Sequence, residues 1–339
     1  MKVGKISEST LKRSVLKQIK CIDDNMENGA GVGSDCAIFA VEKGFVAASV
    51  ATFFLQEAED IRYPIHKAAN NVACSGAVPE SMLLTLTLPA ETEEKELAEI
   101  MKGAATVAEE LKLQIAGGHT CCSQFVKKPC VTVTINGRYT NGSDVTGADS
   151  VQTKCTPGKA SPGEDVVVTK WIGLEGTALL AKRHGNELAK RYPLHMIEEA
   201  AGFEKYLSVI PEAATAEKSN VGAMHDISTG GIFAALWELA ESAGVGLNID
   251  LKKIPIRQES VEVCEFFGIS PYELLSGGSL LVTTKNGEDL VQAFAVQGIP
   301  AAVIGKITDN NDRVVINEEE KRFLERPKSD EIVKVEKEM

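Results

Sequence analysis

Three glycine-rich segments carry side chains of the kind that hold phosphate or a divalent cation. In Gly29-Ala30-Gly31-Val32-Gly33-Ser34-Asp35, three glycines let the backbone approach a ligand closely, and the carboxylate that follows is a cation ligand by type. No strand is evident before this segment and no Gly-Lys-Ser/Thr follows it. It is therefore neither a dinucleotide-binding fingerprint nor a Walker A loop, and a plain turn is the competing reading. Gly117-Gly118-His119-Thr120 follows a short strand expected at Gln114 to Ala116, the place where α/β proteins set ligand-facing loops. His119 is the proton-transfer candidate there, against the plainer reading of an exposed turn histidine. In Met224-His225-Asp226-Ile227-Ser228-Thr229-Gly230-Gly231, a strand expected at Val221 to Met224 gives way to a helix expected from Gly230 to Ala243. The N–H groups of that first turn and the hydroxyls of Ser228 and Thr229 would make an anion site beside Asp226. Helix capping by either hydroxyl is compatible with that role.

The elements that must position these loops alternate along the chain. Strands are expected at Gly44 to Phe54, Met82 to Leu88 and Cys130 to Tyr139, with helices at Pro64 to Ser75 and Thr92 to Lys112. A turn-rich stretch from Asn141 to Glu164 marks a boundary near Lys154, giving domains 1–154 and 155–339. Beyond it come a strand at Asp165 to Thr169, a helix from Leu174, helical stretches from Pro193 to Glu217, strands near Leu247, Leu280 and Val303, and a helix at Glu288 to Val296. The charged tail after Arg326 is expected to fray. Each half is thus a mixed α/β (α+β) layer, and 339 residues suffice for two cores.

A formal charge of −12 disfavours nucleic acid and anionic membrane surfaces as partners, though backbone N–H groups bind small anions whatever the global charge. No apolar run approaches the roughly 20 residues of a membrane span, and the start of the chain lacks a signal-peptide core, so a cytoplasmic protein is expected. Eight cysteines in a chain of this length are expected as free thiols rather than a disulfide framework.

GVGSDCAIF, AANNVACSGAVPESMLLTLTLP, AGGHT, KWIGLEGTALLA, MHDISTGG and LSGGSLLVTT occur in the order and roughly the spacing of the AIR synthase superfamily, and the resemblance covers nearly the whole chain. That superfamily includes aminoimidazole ribonucleotide synthetase, thiamine-monophosphate kinase, selenophosphate synthetase and a hydrogenase-maturation protein that dehydrates a carbamoylated thiol. GGHT, KWIGLEGTA and MHDISTGG together resemble the branch near the last of these. The resemblance implies two α/β domains and a homodimer whose N-terminal sheets pair. It also implies ATP held between the segment of Gly29, Gly31 and Gly33 and first-domain positions Asn70, Asn71, Gly117, Gly118 and Thr120, while Ser228, Thr229, Gly230 and Gly231 join the nucleotide site as the anion site read from their own chemistry. Mg2+ would sit at Asp35 and Asp226, with His119 and Asp226 as the catalytic candidates.

The chain departs from that pattern at three positions. Ala51 stands where relatives carry an aspartate in a Ser-Thr-Asp-Thr-like segment, Asn71 stands in place of the aspartate of Asn-Asp, and Cys121 replaces a glutamate after GGHT. No cysteine follows Cys264 in this sequence, so the specific activity of the maturation protein, whose terminal cysteine receives the carbamoyl group, is not expected. The functional expectation is ATP-dependent phosphoryl transfer that activates an oxygen of a small-molecule or carbamoyl-type substrate, with a depleted metal site. A nucleotide-binding pseudoenzyme, serving as scaffold or regulator, is the first alternative. A thiol or metal-handling protein using Cys36, Cys74, Cys121 and Cys122 with His119 is the second. No residue identifies the second substrate.

Overall fold

The structure, a computed structural model, describes residues 3–20, 25–42, 44–139, 157–219, 221–326 and 328–337. The boundary expected near Lys154 lies outside the described residues. Among those described, 25–29 and 35–139 form one compact unit, here the N-terminal unit; 3–20, 30–34 and the residues from 157 onward form the C-terminal unit.

In the N-terminal unit, strands β1 (Met26–Asn28), β2 (Ala37–Val41), β3 (Gly44–Phe54), β4 (Val78–Pro89), β5 (Gln114–Ser123) and β6 (Cys130–Arg138) build one sheet in the order β1-β2-β3-β6-β4-β5. Neighbours are antiparallel except β4 and β5, which run parallel and are joined by the crossover helix Glu94–Leu111. The nearly continuous apolar runs of β3 and β4 resolve into two faces. Phe45, Ala47, Ala51, Met82, Leu84 and Leu86 are buried on the face that carries the helix Arg62–Cys74, whereas Val50, Phe54 and Leu83 are exposed on the other. The Glu94–Leu111 helix buries Ile100, Ala104, Val107 and Ala108, the positions its 3.6-residue period predicts, and stops at Lys112 in the left-handed conformation.

The C-terminal unit holds β7 (Asp165–Thr169), β8 (Ala223–Ile227), β9 (Gly246–Asp250), β10 (Ser279–Thr284), β11 (Ala301–Thr308), β12 (Arg313–Asn317) and β13 (Glu320–Phe323), in the order β13-β12-β9-β11-β7-β10-β8. Only β12 and β9 pair in parallel. Every residue of β8 and β10 is buried. Val166, Val168, Ile227, Leu247 and Ile249 of the sheet pack with Ile232, Leu236 and Leu239 of the helix Gly231–Ala243 in one core.

Three expectations are corrected. The strand expected at Gln114 to Ala116 continues to Ser123, so the Gly-Gly-His-Thr segment is part of an edge strand and not a loop. Its glycines allow this: at Gly118 a β-carbon would fall 1.8 Å from the carbonyl oxygen of Leu84, so only glycine lets β5 pass β4 there. The strand expected to end at Met224 runs on to Ile227, which sets His225 and Asp226 within β8. The tail after Arg326 packs rather than frays: Asp330 is buried, and the helix Ile332–Lys337 buries Ile332, Val333 and Val335. No helix among the described residues is long and apolar enough to cross a membrane.

Candidate functional site

Along the chain the glycine-rich segment leads from β1 to β2; Asp35, which belongs to the N-terminal unit, is half-buried just before β2 begins. The carbonyl of Asp35 accepts a hydrogen bond from Ser49 Oγ at 2.9 Å, and Ser49 Oγ in turn accepts one from Asn71 Nδ2 at 2.9 Å. Ser49 lies on the helix-covered face of β3, and Asn70 and Asn71 lie near the end of the helix Arg62–Cys74; all three are buried. Ala51, the next residue on that face of β3, is also buried. The structure thus brings Asp35, Ser49 and Asn71 together. Nearby on the chain, Asn28 Nδ2 donates to the carbonyl of Cys36 at 3.0 Å and fastens β1 to the start of β2.

His119 belongs to a different place, the exposed face of the same sheet. Register sets Thr52, Thr132, Thr85 and His119 in one row across β3, β6, β4 and β5, with Thr52 and Thr132 hydroxyls 3.0 Å apart. The next row is Phe54, Cys130, Thr87 and Cys121, where Cys121 Sγ lies 4.0 Å from Thr87 Oγ1. Gly117, Gly118, His119 and Thr120 are all exposed.

In the C-terminal unit His225 and Asp226 are 2% and 4% exposed, neighbours on β8. His225 Nε2 lies 3.3 Å from Glu238 Oε2, and Lys5 pairs with the other oxygen of the same carboxylate. Burial alone would push the Glu238 carboxyl up, but the hydrogen bond from His225 and the charge of Lys5 outweigh it and hold it at about 2. Gly33 abuts the same helical turn: a β-carbon there would lie 2.8 Å from the carbonyl oxygen of Glu238. The Ser228–Gly231 turn starts the helix Gly231–Ala243 as expected, with Gly230 and Gly231 both at positive φ. Two of its N–H groups, and a third just beyond it, are engaged within the chain. Gly230 N–H donates to Asp330 Oδ2 at 2.6 Å, Gly231 N–H to Ser228 O at 3.0 Å, and Phe233 N–H to Tyr272 O at 3.2 Å.

Asp35, Asn71, Asp226 and the Ser228–Gly231 turn stand out in the sequence; Ser49, Glu238, Lys5 and Asp330, which touch these residues or their neighbours, do not. Ser49 sits two residues before Ala51, so the segment itself held that signal. Glu238 is seven residues beyond Gly231 on an amphipathic helix, about two turns along, and a helical projection would have flagged it. For Lys5 and Asp330, far along the chain from their partners, no local signal exists.

Two mixed sheets of this topology, one in each unit, define an α/β protein of the AIR synthase type. The chain belongs to the AIR synthase related family: residues 33–139 match its N-terminal domain and residues 161–317 its C-terminal domain. It is 25% identical to the carbamoyl dehydratase HypE of Rhizobium leguminosarum, over 84% of this chain and 79% of that one. It is 24% identical to the selenide, water dikinase of Clostridioides difficile, over 89% and 91%. Among solved structures, the hydrogenase maturation protein HypE in complex with ATP superposes with a TM-score of 0.66 at 17% identity, over 98% of this chain and 97% of that one.

Proposed function

We propose that this protein binds ATP and that its chemistry is phosphoryl transfer onto an oxygen of a small carboxamide or carbamoyl-type substrate, carried out on a depleted metal site. The relatives support the first part: one is a carbamoyl dehydratase, another a dikinase, and a protein of the same fold has been solved with ATP. The ATP phosphates are assigned to the Gly29–Asp35 segment, where Gly29 and Gly31 leave the backbone accessible while Gly33 packs against Glu238. The Ser228–Gly231 turn is the weaker candidate, because Asp330 already takes the Gly230 N–H.

Magnesium would bridge and neutralise phosphate oxygens in such a transfer. The N-terminal unit offers it one carboxylate, Asp35. Buried Ala51 has no ligand atom, and the Asn71 amide, neutral where a carboxylate would be charged, donates an N–H to Ser49. Mg2+ demands near-octahedral oxygen ligation and is usually held by one or two carboxylates plus phosphates and water. With Asp35 as its one carboxylate, the N-terminal unit meets only the lower end of that requirement and by itself fits a weak magnesium centre. That observation, Ala51 with an amide-donating Asn71, carries the reading and equally favours a nucleotide-binding pseudoenzyme as its rival.

The same reading includes a homodimer that covers the exposed sheet face carrying Val50, Phe54 and Leu83. Calorimetry with ATP, with and without magnesium, followed by a phosphate-release assay, separates the two functional readings. Binding with substrate-dependent release supports the enzyme. Binding without release under any condition supports the pseudoenzyme, and absence of ATP binding overturns both.

A further inference from the structure

Asn71, Ser49 and Asp35 form a hydrogen-bond chain with a direction. Asn71 Nδ2–H donates to Ser49 Oγ at 2.9 Å, and Ser49 Oγ–H donates to the Asp35 carbonyl at 2.9 Å. The chain ties three elements of the N-terminal unit: the helix Arg62–Cys74, strand β3, and the turn that enters β2. Ser49 is 5% exposed and Asn71 9%, so the bonds lie where water offers little replacement.

A serine hydroxyl has one proton to give and two lone pairs with which to accept. Because the Asn71 amide donates to it, its single proton remains available for the Asp35 carbonyl. An aspartate at position 71 would be an acceptor only when ionised, and would draw that proton to itself. The Asp35 carbonyl would then lose the hydrogen bond from Ser49.

We infer that Ser49 is a positioning residue that fixes the backbone at Asp35, and that the amide at position 71 sets the direction in which it acts. Asn71 is thus more than a missing carboxylate. It replaces one possible cation ligand with a donor that locks the end of the glycine-rich segment, and Asp35 can present its side chain from a fixed backbone. The importance of that side chain rests on the reading of Asp35 as ligand-facing given above.

The test uses the 339-residue protein without nucleotide or metal. Hydrogen exchange read by mass spectrometry is compared for wild type, Ser49→Ala, Ser49→Thr and Asn71→Asp. Loss of one buried hydrogen bond corresponds to roughly fivefold faster local exchange. Ser49→Ala and Asn71→Asp are expected to speed exchange by about that factor in peptides covering residues 34–37, with the Glu94–Leu111 helix unchanged, and Ser49→Thr to restore protection. Asn71→Asp is nearly isosteric, so it keeps the test intact if Ser49→Ala folds poorly. Wild-type exchange at 34–37 in Asn71→Asp, or acceleration spread evenly over the unit, overturns the inference. ATP calorimetry on the same variants addresses the other reading separately: faster exchange with unchanged ATP affinity would leave the positioning role standing and remove Asp35 from the nucleotide site.

Discussion

The carboxylate of Asp330 caps the backbone of Gly230 from 100 residues away along the chain, accepting its N–H at 2.6 Å. The same carboxylate takes the N–H groups of Leu275 at 3.2 Å and Ile332 at 3.0 Å, so the C-terminal segment holds two glycine-containing turns in place. An anion at a helix start is where the helix dipole favours one, and here the anion is the chain's own. Asp330→Ala should therefore leave buried donors without an acceptor and destabilise the C-terminal unit by about 2–4 kcal/mol. Urea denaturation followed by tryptophan fluorescence measures this; a change under about 0.5 kcal/mol would show that the contact is incidental.

The N-terminal segment should be released by salt. Residues 3–20 include no fully buried residue, and they reach the helix Gly231–Ala243 through Lys5 to Glu238, Lys12 to Glu241 at 2.6 Å, and Glu8 accepting from Trp237 Nε1 at 3.0 Å. Ion pairs of this kind weaken as the Debye length shrinks from ~30 Å at 0.01 M to ~3 Å at 1 M salt. Tryptic cleavage after Lys12 and Arg13 is expected to accelerate severalfold over that range. Equal rates at both ends would mean the segment is held by something other than charge.

The same contacts fix an acid limit. The Glu241 carboxyl is held at about 2 by hydrogen bonds from Lys12 and Arg313, and Glu238 is also held at about 2, both below the ordinary 4.5. Because the folded values are depressed, the stabilisation is complete above the unfolded value of 4.5 and is lost as pH falls through 2. Trp237 fluorescence, followed in a Trp171→Phe background, should change over that window. A transition centred near neutral pH would contradict the assignment.

Thiol labelling should divide the cysteines by environment. Burial pushes the thiols of Cys36 and Cys264 up to about 12, so they should stay unlabelled in the native protein, while Cys122 is exposed and should react. Rapid native labelling of Cys264 would show that its pocket opens.

The proposed dimer face can be broken without touching the core. Phe54 is 58% exposed and Val50 61%, both on the side of β3 away from the helices. Phe54→Glu should give a monomer by light scattering with an unchanged melting temperature. A wild-type chain that is already monomeric at micromolar concentration contradicts the dimer.

Local pattern made much of the fold legible. The period of Leu97, Ile100, Ala104 and Ala108 and the apolar strand at Asp165 to Thr169 were sufficient to place those elements, because a single buried face dictates the spacing of apolar residues. The Gly117-Gly118 pair misled because two glycines ordinarily end a strand. Here Gly118 serves close approach between parallel neighbours, which only the pairing of β4 with β5 reveals. Of the site, the substitutions at Ala51 and Asn71 were readable, but their consequence was not. Whether an asparagine donates or accepts depends on what lies opposite, and Ser49 is 22 residues away.

The central claim is ATP binding with weak or absent magnesium-dependent turnover, and restoring the missing carboxylates tests it most directly. A carboxylate about 4 Å from a cation contributes roughly 4 kcal/mol of attraction at an effective dielectric near 20, before desolvation is subtracted. Alanine offers nothing in exchange, while Asn71 keeps a carbonyl oxygen, so Ala51 is the more damaging change. Calorimetry of ATP binding with and without magnesium, paired with phosphate release, should show affinity nearly independent of magnesium and slow release for the natural sequence. Ala51→Asp with Asn71→Asp should make binding strengthen with magnesium. Robust hydrolysis by the natural sequence that survives Asp35→Ala and Asp226→Ala would contradict the account.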